Sequence, residues 1–280
     1  QLSDATLPEA PIDHPSIVFL LPGQGSRPQE TATLFQDDAT YQRAFDACKR
    51  LPVIADTSSS GPIQRECIDL FCNQFSLAQV LKSYGVVPTA ILGHSFGEIV
   101  AACLAEVFSL EDALRFVSLR ASLMDNLPPG AMTVAQIPSD QVSNFCHGDV
   151  SLAAVNSENL VTLTGPPIQI EQTETQLAAE NITFQRLSCH RAFHSQMTES
   201  IKDEVTHALS HFELKEPKIP FISCVTGTWI SPAEATSSEY WGRQLRQTVQ
   251  FATGIKTTSE LHRPLYIQLG SGKTLTSLVR

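Results

Sequence analysis

Two apolar patterns alternate along this chain. Short unbroken runs, IVFLL at 17–21 and TAILG at 89–93, read as strands buried on both faces, and the first ends in the turn sequence PGQGS. Longer stretches space their apolar residues three and four apart, so 31–50 and 63–83 read as helices, with LPVIADTSSSGP between them as a loop. After TAILG comes a helix, EIVAACLAEV, and Ser109 reads as the N-cap of another, LEDALRFVSLRASLMDNL, which PPG stops. From about 129 to 188 the segments shorten. AMTVAQI, SDQVSNFC, VSLAAVN, NLVTLTG, IQIEQTETQLAAEN and ITFQRL read strand, helix, strand, strand, helix, strand, the order of a ferredoxin-like unit. The larger pattern then resumes with a helix at 196–212, the strand IPFISCV, two helices across 238–262, the strand LYIQL and a helix from about 272.

Alternating strands and helices predict an α/β fold with a mainly parallel sheet covered on both faces. The expected organisation is a polar, proline-rich arm at 1–16, a large subdomain from 17–128 and 189–280, and an inserted ferredoxin-like small subdomain at 129–188. A ligand is expected between the two. The 280 residues are 42% hydrophobic, with no apolar run of bilayer length and no basic, apolar leader at the start. Seven scattered cysteines without a C-x-x-C pair suit reduced thiols, so the cytoplasm is the expected compartment and a membrane is not expected. A net charge of −10 without a lysine or arginine run argues against nucleic acid, and means that any bound anion needs a local cation.

One short stretch carries chemistry. Gly93-His94-Ser95-Phe96-Gly97 fits G-x-S-x-G, in which a serine caps a tight strand-to-helix turn. A serine at a helix N-terminus faces free N–H groups that favour a developing oxyanion. It also needs a base, and there are eight histidines. His94 points away around the turn and is expected to pack or cap; His14, His147, His207, His211 and His262 fall in arms, loops or helix surfaces. His190 and His194 lie where the chain leaves the inserted unit, at the edge of the expected cleft. The same CHRAFH stretch offers Cys189 and two histidines to a metal, but no further ligand has zinc spacing, so no metal is expected. GSGKT at 270–274 fails as a phosphate loop because Ile267 stands where a glycine is needed. Arg120 lies beside two apolar stripes of its helix. A guanidinium there wants a planar anion, which is either an internal carboxylate such as Glu98 or Glu106 or a carboxylate ligand.

PGQGS, GHSFGE at 93–98, SLRASLM at 118–124, AAVN at 153–156, AFHS at 192–195, TVQF at 248–251 and LGSGKTLTSLV at 269–279 occur here in order. Together they resemble the acyltransferase domains of polyketide synthases and the malonyl-CoA:acyl carrier protein transacylases, from about residue 17 onward. The resemblance implies a hydrolase-like α/β domain with a ferredoxin-like insert. It also implies an exchange in which a serine takes an acyl group from coenzyme A and passes it to the phosphopantetheine thiol of an acyl carrier protein. No permanently bound cofactor is implied, since the coenzyme A thioester is a substrate, and neighbouring synthase domains are implied partners. Matched by position, Ser95 is the nucleophile and His194 the base. Gln250 supplies the carbonyl that orients the histidine, and the amides of Gln24 and Phe96 hold the oxyanion. Arg120 pairs with a malonyl carboxylate and Asn156 lines the site. Phe193, before the histidine, disfavours an α-methyl and points to malonyl-CoA, with Phe96 narrowing the pocket further.

The sequence also departs from the family. Arg191 stands where HAFH or YASH begin, Arg27 follows Ser26, Cys67 replaces a usual glutamine, and GPG is GSG in the last block. The alternatives are a transferase for another acyl unit and an editing acyl-thioester hydrolase using the same serine and histidine.

Overall fold

The computed structural model describes residues 14–25, 33–55 and 60–279, so most of the predicted arm, and Ser26 and Arg27, lie outside the described residues. IVFLL forms β1 (Ile17–Leu21). Helix α1 (Ala39–Lys49) is capped by Asp38, whose carboxylate accepts the amides of Thr40 and Tyr41, and α2 (Pro62–Ser83) follows. Strand β2 (Ala90–Gly93) leads into α3 (Gly97–Leu104), and α4 (Leu110–Asp125) begins at its expected cap, with Ser109 Oγ 3.0 Å from the Asp112 amide. The predicted loop after α1 contains a one-turn helix, Pro52–Ala55.

The inserted unit comprises β3 (Ala131–Ala135), β4 (Ser151–Ser157), β5 (Leu160–Gly165), α5 (Pro167–Ala179) and β6 (Phe184–Arg186). Its first predicted helix is reduced to a 3₁₀ turn, Val142–Phe145. Pro138 and Gly148 bracket that segment, and its Ser, Asp and Asn residues compete with helical hydrogen bonds. The chain then adds α6 (Glu199–Leu209), β7 (Phe221–Ile222), α7 (Ser238–Arg246), α8 (Phe251–Ser259), β8 (Leu265–Gln268) and α9 (Thr274–Leu278).

Two separate sheets result. The large one runs β7-β2-β1-β8, every neighbour parallel. The small one runs β4-β5-β3-β6, every neighbour antiparallel, which is the strand order of a ferredoxin-like unit. The fold class is therefore as expected. IPFISCV contributes only two strand residues, since Pro220 can accept from Ile91 but has no N–H to extend the ladder. No helix among the described residues is long and apolar enough to cross a membrane.

Backbone hydrogen bonds tie the two subdomains together, and Arg191 anchors the returning chain within the large one. Val249 bridges in parallel to Ala154, accepting from the Val155 amide at 2.9 Å and donating to the Ala153 carbonyl at 2.8 Å. The Gly130 amide donates to the His190 carbonyl at 3.0 Å. Arg191, the departure from the family block, donates from Nε to Met124 O at 3.1 Å and from Nη2 to Asp125 O at 2.7 Å, closing the C-terminus of α4 with a cation. The side chain of Asp125 meanwhile caps another helix, accepting from the Ile63 and Gln64 amides at 3.1 Å each. Gly61 has no side chain to do this, and a Cβ there would fall 2.0 Å from the Asp125 carboxylate. Asp125→Ala should therefore cost about 1–2 kcal/mol in urea unfolding, the range of a lost N-cap. Ser122→Ala, which the helix end does not use this way, should be close to neutral.

Candidate active site

The site begins where β2 meets α3. Ser95 sits in the left-handed region, φ 53°, a conformation that costs a non-glycine residue energy and persists only where packing enforces it. The enforcement is visible on both sides. A Cβ on Gly93 would lie 2.3 Å from the Glu98 amide nitrogen, and one on Gly97 would lie 2.0 Å from the Leu21 carbonyl oxygen. The two glycines of G-x-S-x-G are thus required by close approach, and they leave a half-buried serine on the first turn of α3. The Phe96 amide donates to no acceptor among the described residues. The turn after β1 carrying Gln24 packs against the elbow, for a Cβ on Gly23 would stand 2.9 Å from the His94 carbonyl. The Phe96 ring is buried in the main apolar core.

The structure decides between the two candidate histidines. His190 is exposed, whereas His194 is buried and its Nε2 lies 2.5 Å from Ser95 Oγ. Its Nδ1 lies 2.8 Å from the Gln247 carbonyl, not that of Gln250. A carbonyl only accepts, so Nδ1 carries the proton and Nε2 presents its lone pair to the serine. The correction has a simple cause. Gln247 caps the end of α7 with extended ψ, 156°, which turns its carbonyl out of the helix. The Gln250 carbonyl instead accepts from Gly254 at 3.0 Å in the first turn of α8. Burial, with the charge of Arg120 next in weight, depresses the His194 pKa from 6.5 to about 3.

Arg120 is 1% exposed, and none of its three side-chain nitrogens finds a partner among the described residues. Neither internal candidate pairs with it. Glu106 bonds Lys218 at 2.5 Å, while Glu98 accepts from the Tyr240 hydroxyl. Cys67 is buried near Arg120 with its thiol pushed up to about 12 by burial, so it offers no anion. Phe193 is buried in the main core next to His194. Asn156, expected to line the site, has both ends of its side chain hydrogen-bonded within the protein. Its Oδ1 lies 2.8 Å from His94 Nε2 and its Nδ2 donates to Thr162 at 2.9 Å, so β4 braces the elbow through His94, which also packs on Phe251. Among the described residues no cluster of His, Cys, Asp and Glu could hold a metal.

These features define an acyltransferase architecture, and similarity to known proteins agrees. The acyl transferase domain family model matches residues 18–270, and the chain belongs to that family. It is 30% identical over 273 residues to a phenolphthiocerol/phthiocerol polyketide synthase chain of Mycobacterium tuberculosis, covering 93% of this chain and 18% of that protein. To polyketide synthase GfsA of Streptomyces halstedii it is 28% identical over 93% of this chain and 4% of that one. The chain therefore spans a small part of these relatives. Among solved structures, the acyl transferase domain of SpnD in complex with 2-(pent-4-yn-1-yl)malonyl superposes with a TM-score of 0.91 at 32% identity, covering 98% of this chain and 69% of that one. The malonyl CoA-acyl carrier protein transacylase of Burkholderia pseudomallei gives 0.82 at 26% identity, covering 95% and 97%.

Sequence reasoning missed Gln247, Gln244 and Tyr240. Their signal lies in YWGRQLRQ, where positions 240, 244 and 247 share one helix face, and the first two are polar side chains among buried ones.

The buried base predicts a pH response. The unfolded chain takes up a proton at His194 near 6.5 but the folded protein only near 3, so this residue's contribution to stability falls as pH drops through that window. His194→Asn should flatten that slope in urea titrations. Because the folded imidazole stays neutral, phosphonylation of Ser95 by a fluorophosphonate probe should stay level from pH 8 to 5; a titration step near 6.5 would contradict the assignment.

Proposed function

We propose that this domain transfers a malonyl-class acyl unit from coenzyme A, through an ester on Ser95, to the phosphopantetheine thiol of an acyl carrier protein, in the setting of a polyketide synthase. The observation that carries this reading is Arg120. A buried, unpaired guanidinium is costly, and the charge stays on because arginine does not deprotonate. A carboxylate on the acyl group, held bidentately, repays that cost; an acetyl group or a hydrolytic water does not. The malonyl moiety bound by the SpnD domain is of the same chemical class.

In the first half-reaction Ser95 Oγ attacks the thioester carbon and its proton passes to His194 Nε2. The tetrahedral oxyanion is received by the Phe96 and Gln24 amides. Collapse breaks the C–S bond, and the proton on Nε2 goes to the departing thiolate. The carrier thiol then repeats the sequence in reverse, giving its proton to Nε2 and releasing Ser95. The proton thus returns to the serine and the net exchange is thiol for thiol. Arg120 has a second effect here. Its charge weakens His194 as a base in the free enzyme, and a bound carboxylate offsets that charge, so a carboxyacyl substrate strengthens the base that activates the serine.

Phe193 favours malonyl over methylmalonyl by about 1–3 kcal/mol, the usual worth of one methyl in an apolar pocket. The direct test is intact-protein mass spectrometry after brief mixing with malonyl-, methylmalonyl- and acetyl-CoA in competition. A malonyl ester should dominate and be absent from Ser95→Ala. Arg120→Ala should cut malonyl loading by about 100-fold or more, the order expected when one ion of a buried pair is removed, while acetyl loading changes little. Phe193→Ser should raise the methylmalonyl share. Unchanged malonyl loading in Arg120→Ala would refute the clamp.

A further inference from the structure

Two buried glutamines outside the catalytic pair share an unusual arrangement. Gln244 of α7 donates from Nε2 to the Ser95 carbonyl at 2.8 Å, and Gln74 of α2 donates from Nε2 to the Pro22 carbonyl at 2.7 Å. Both are 0% exposed, and in both the amide oxygen has no partner among the described residues. A buried polar atom left unpaired is unfavourable, so each contact persists at a cost. Satisfying the Ser95 carbonyl does not explain it, because that oxygen already accepts from the Glu98 amide at 3.0 Å.

The peptide group offers the explanation. The Ser95 carbonyl and the Phe96 N–H belong to one planar trans unit, so whatever fixes the direction of the C=O fixes the N–H pointing the opposite way. That N–H is the uncommitted donor beside the nucleophile. Ser95 sits at a strained φ of 53°, and rotation of the peptide that follows it is what an outside restraint opposes. A second donor on its oxygen both restrains the rotation and polarises the N–H. Gln74 does the corresponding work on the other wall, pinning the carbonyl of Pro22 at the entry to the Gly23–Gln24 turn. Gln244 is itself held in register: Tyr240, one turn earlier on α7, bonds Glu98 of α3, and Gln247 at the end of the same helix holds His194.

We infer that Gln244 and Gln74 are positioning residues that aim the two backbone amides of the oxyanion hole. The inference rests on the acyl-transfer reading only in needing an oxyanion, not in the identity of the acyl group.

The test is the rate of Ser95 phosphonylation by a fluorophosphonate, with kcat and KM for malonyl transfer alongside. Gln244→Met keeps the volume and removes the donor. Loss of a whole oxyanion donor costs about 100- to 1,000-fold, so misaiming one should slow both phosphonylation and kcat by about 10- to 100-fold. KM should stay within about twofold and the melting temperature should not account for the loss. Gln74→Met should act in the same sense and decides the matter if the first variant does not fold. Rates within twofold of the parent, or a loss carried by KM, would overturn the inference. Failure of the parent itself to label at Ser95 would instead overturn the acyl-transfer reading.

Discussion

Everything in this site follows from the close approach of two backbones at Gly97. The chain leaving β2 must turn into α3 while lying against the carbonyl of Leu21 at the end of β1, and no side chain fits in that gap. Forcing the turn to be this tight puts Ser95 into a left-handed conformation, lifts its hydroxyl off the sheet and sets it at a helix start. Parallel pairing of β1 with β2 then places the turn that follows β1 beside the elbow, so two separate chain segments can offer amides to one oxygen. The half-buried serine and the amides proposed to receive an oxyanion are therefore consequences of sheet register, and the side chains around them serve to hold that geometry.

Helix α7 extends the same logic to the base. Its buried face presents Tyr240 to Glu98, Gln244 to the Ser95 carbonyl and the Gln247 carbonyl to His194. Burial raises the Glu98 carboxyl to about 7, so near neutrality it carries less negative charge beside the serine than an exposed glutamate would. A neutral carbonyl orients the imidazole where hydrolases of related geometry use a carboxylate. The result is a weak base whose strength depends on what sits opposite Arg120. On the proposed reading, catalysis and recognition of a negative charge are coupled through electrostatics.

Much of this was legible in the sequence. Unbroken apolar runs and helical spacing located β1, β2, α2, α3 and α4, and the strand-helix order of the insert identified a ferredoxin-like unit. What failed to show was local and physical. The SDQVSNFC segment has helical spacing but is too short and too rich in competing side chains to hold an α-helix. Sequence matching points to the Gln250 carbonyl for His194, whereas the Gln247 carbonyl meets it, because the choice depends on where α7 stops using its own acceptors. Gln244 reaches a residue far away in sequence, and only its place on a buried helix face marks it. Asn156 carries a polar side chain near the site for a structural reason, bracing His94, and spacing alone does not separate that from a ligand contact.

The parallel bridge between Ala154 and Val249 has one more implication. Val249 lies two residues past the carbonyl that holds His194, and its partner strand β4 carries the asparagine that braces the elbow. The small subdomain is thus not an independent module resting on the large one; its edge strand is part of the frame that registers base against nucleophile. Chimeras that exchange the insert at its two sequence boundaries inherit a foreign β4, and with it a foreign seat for the histidine's anchor. Substrate-swapping designs in this fold therefore need to keep β4 and the segment around Val249 from the same parent.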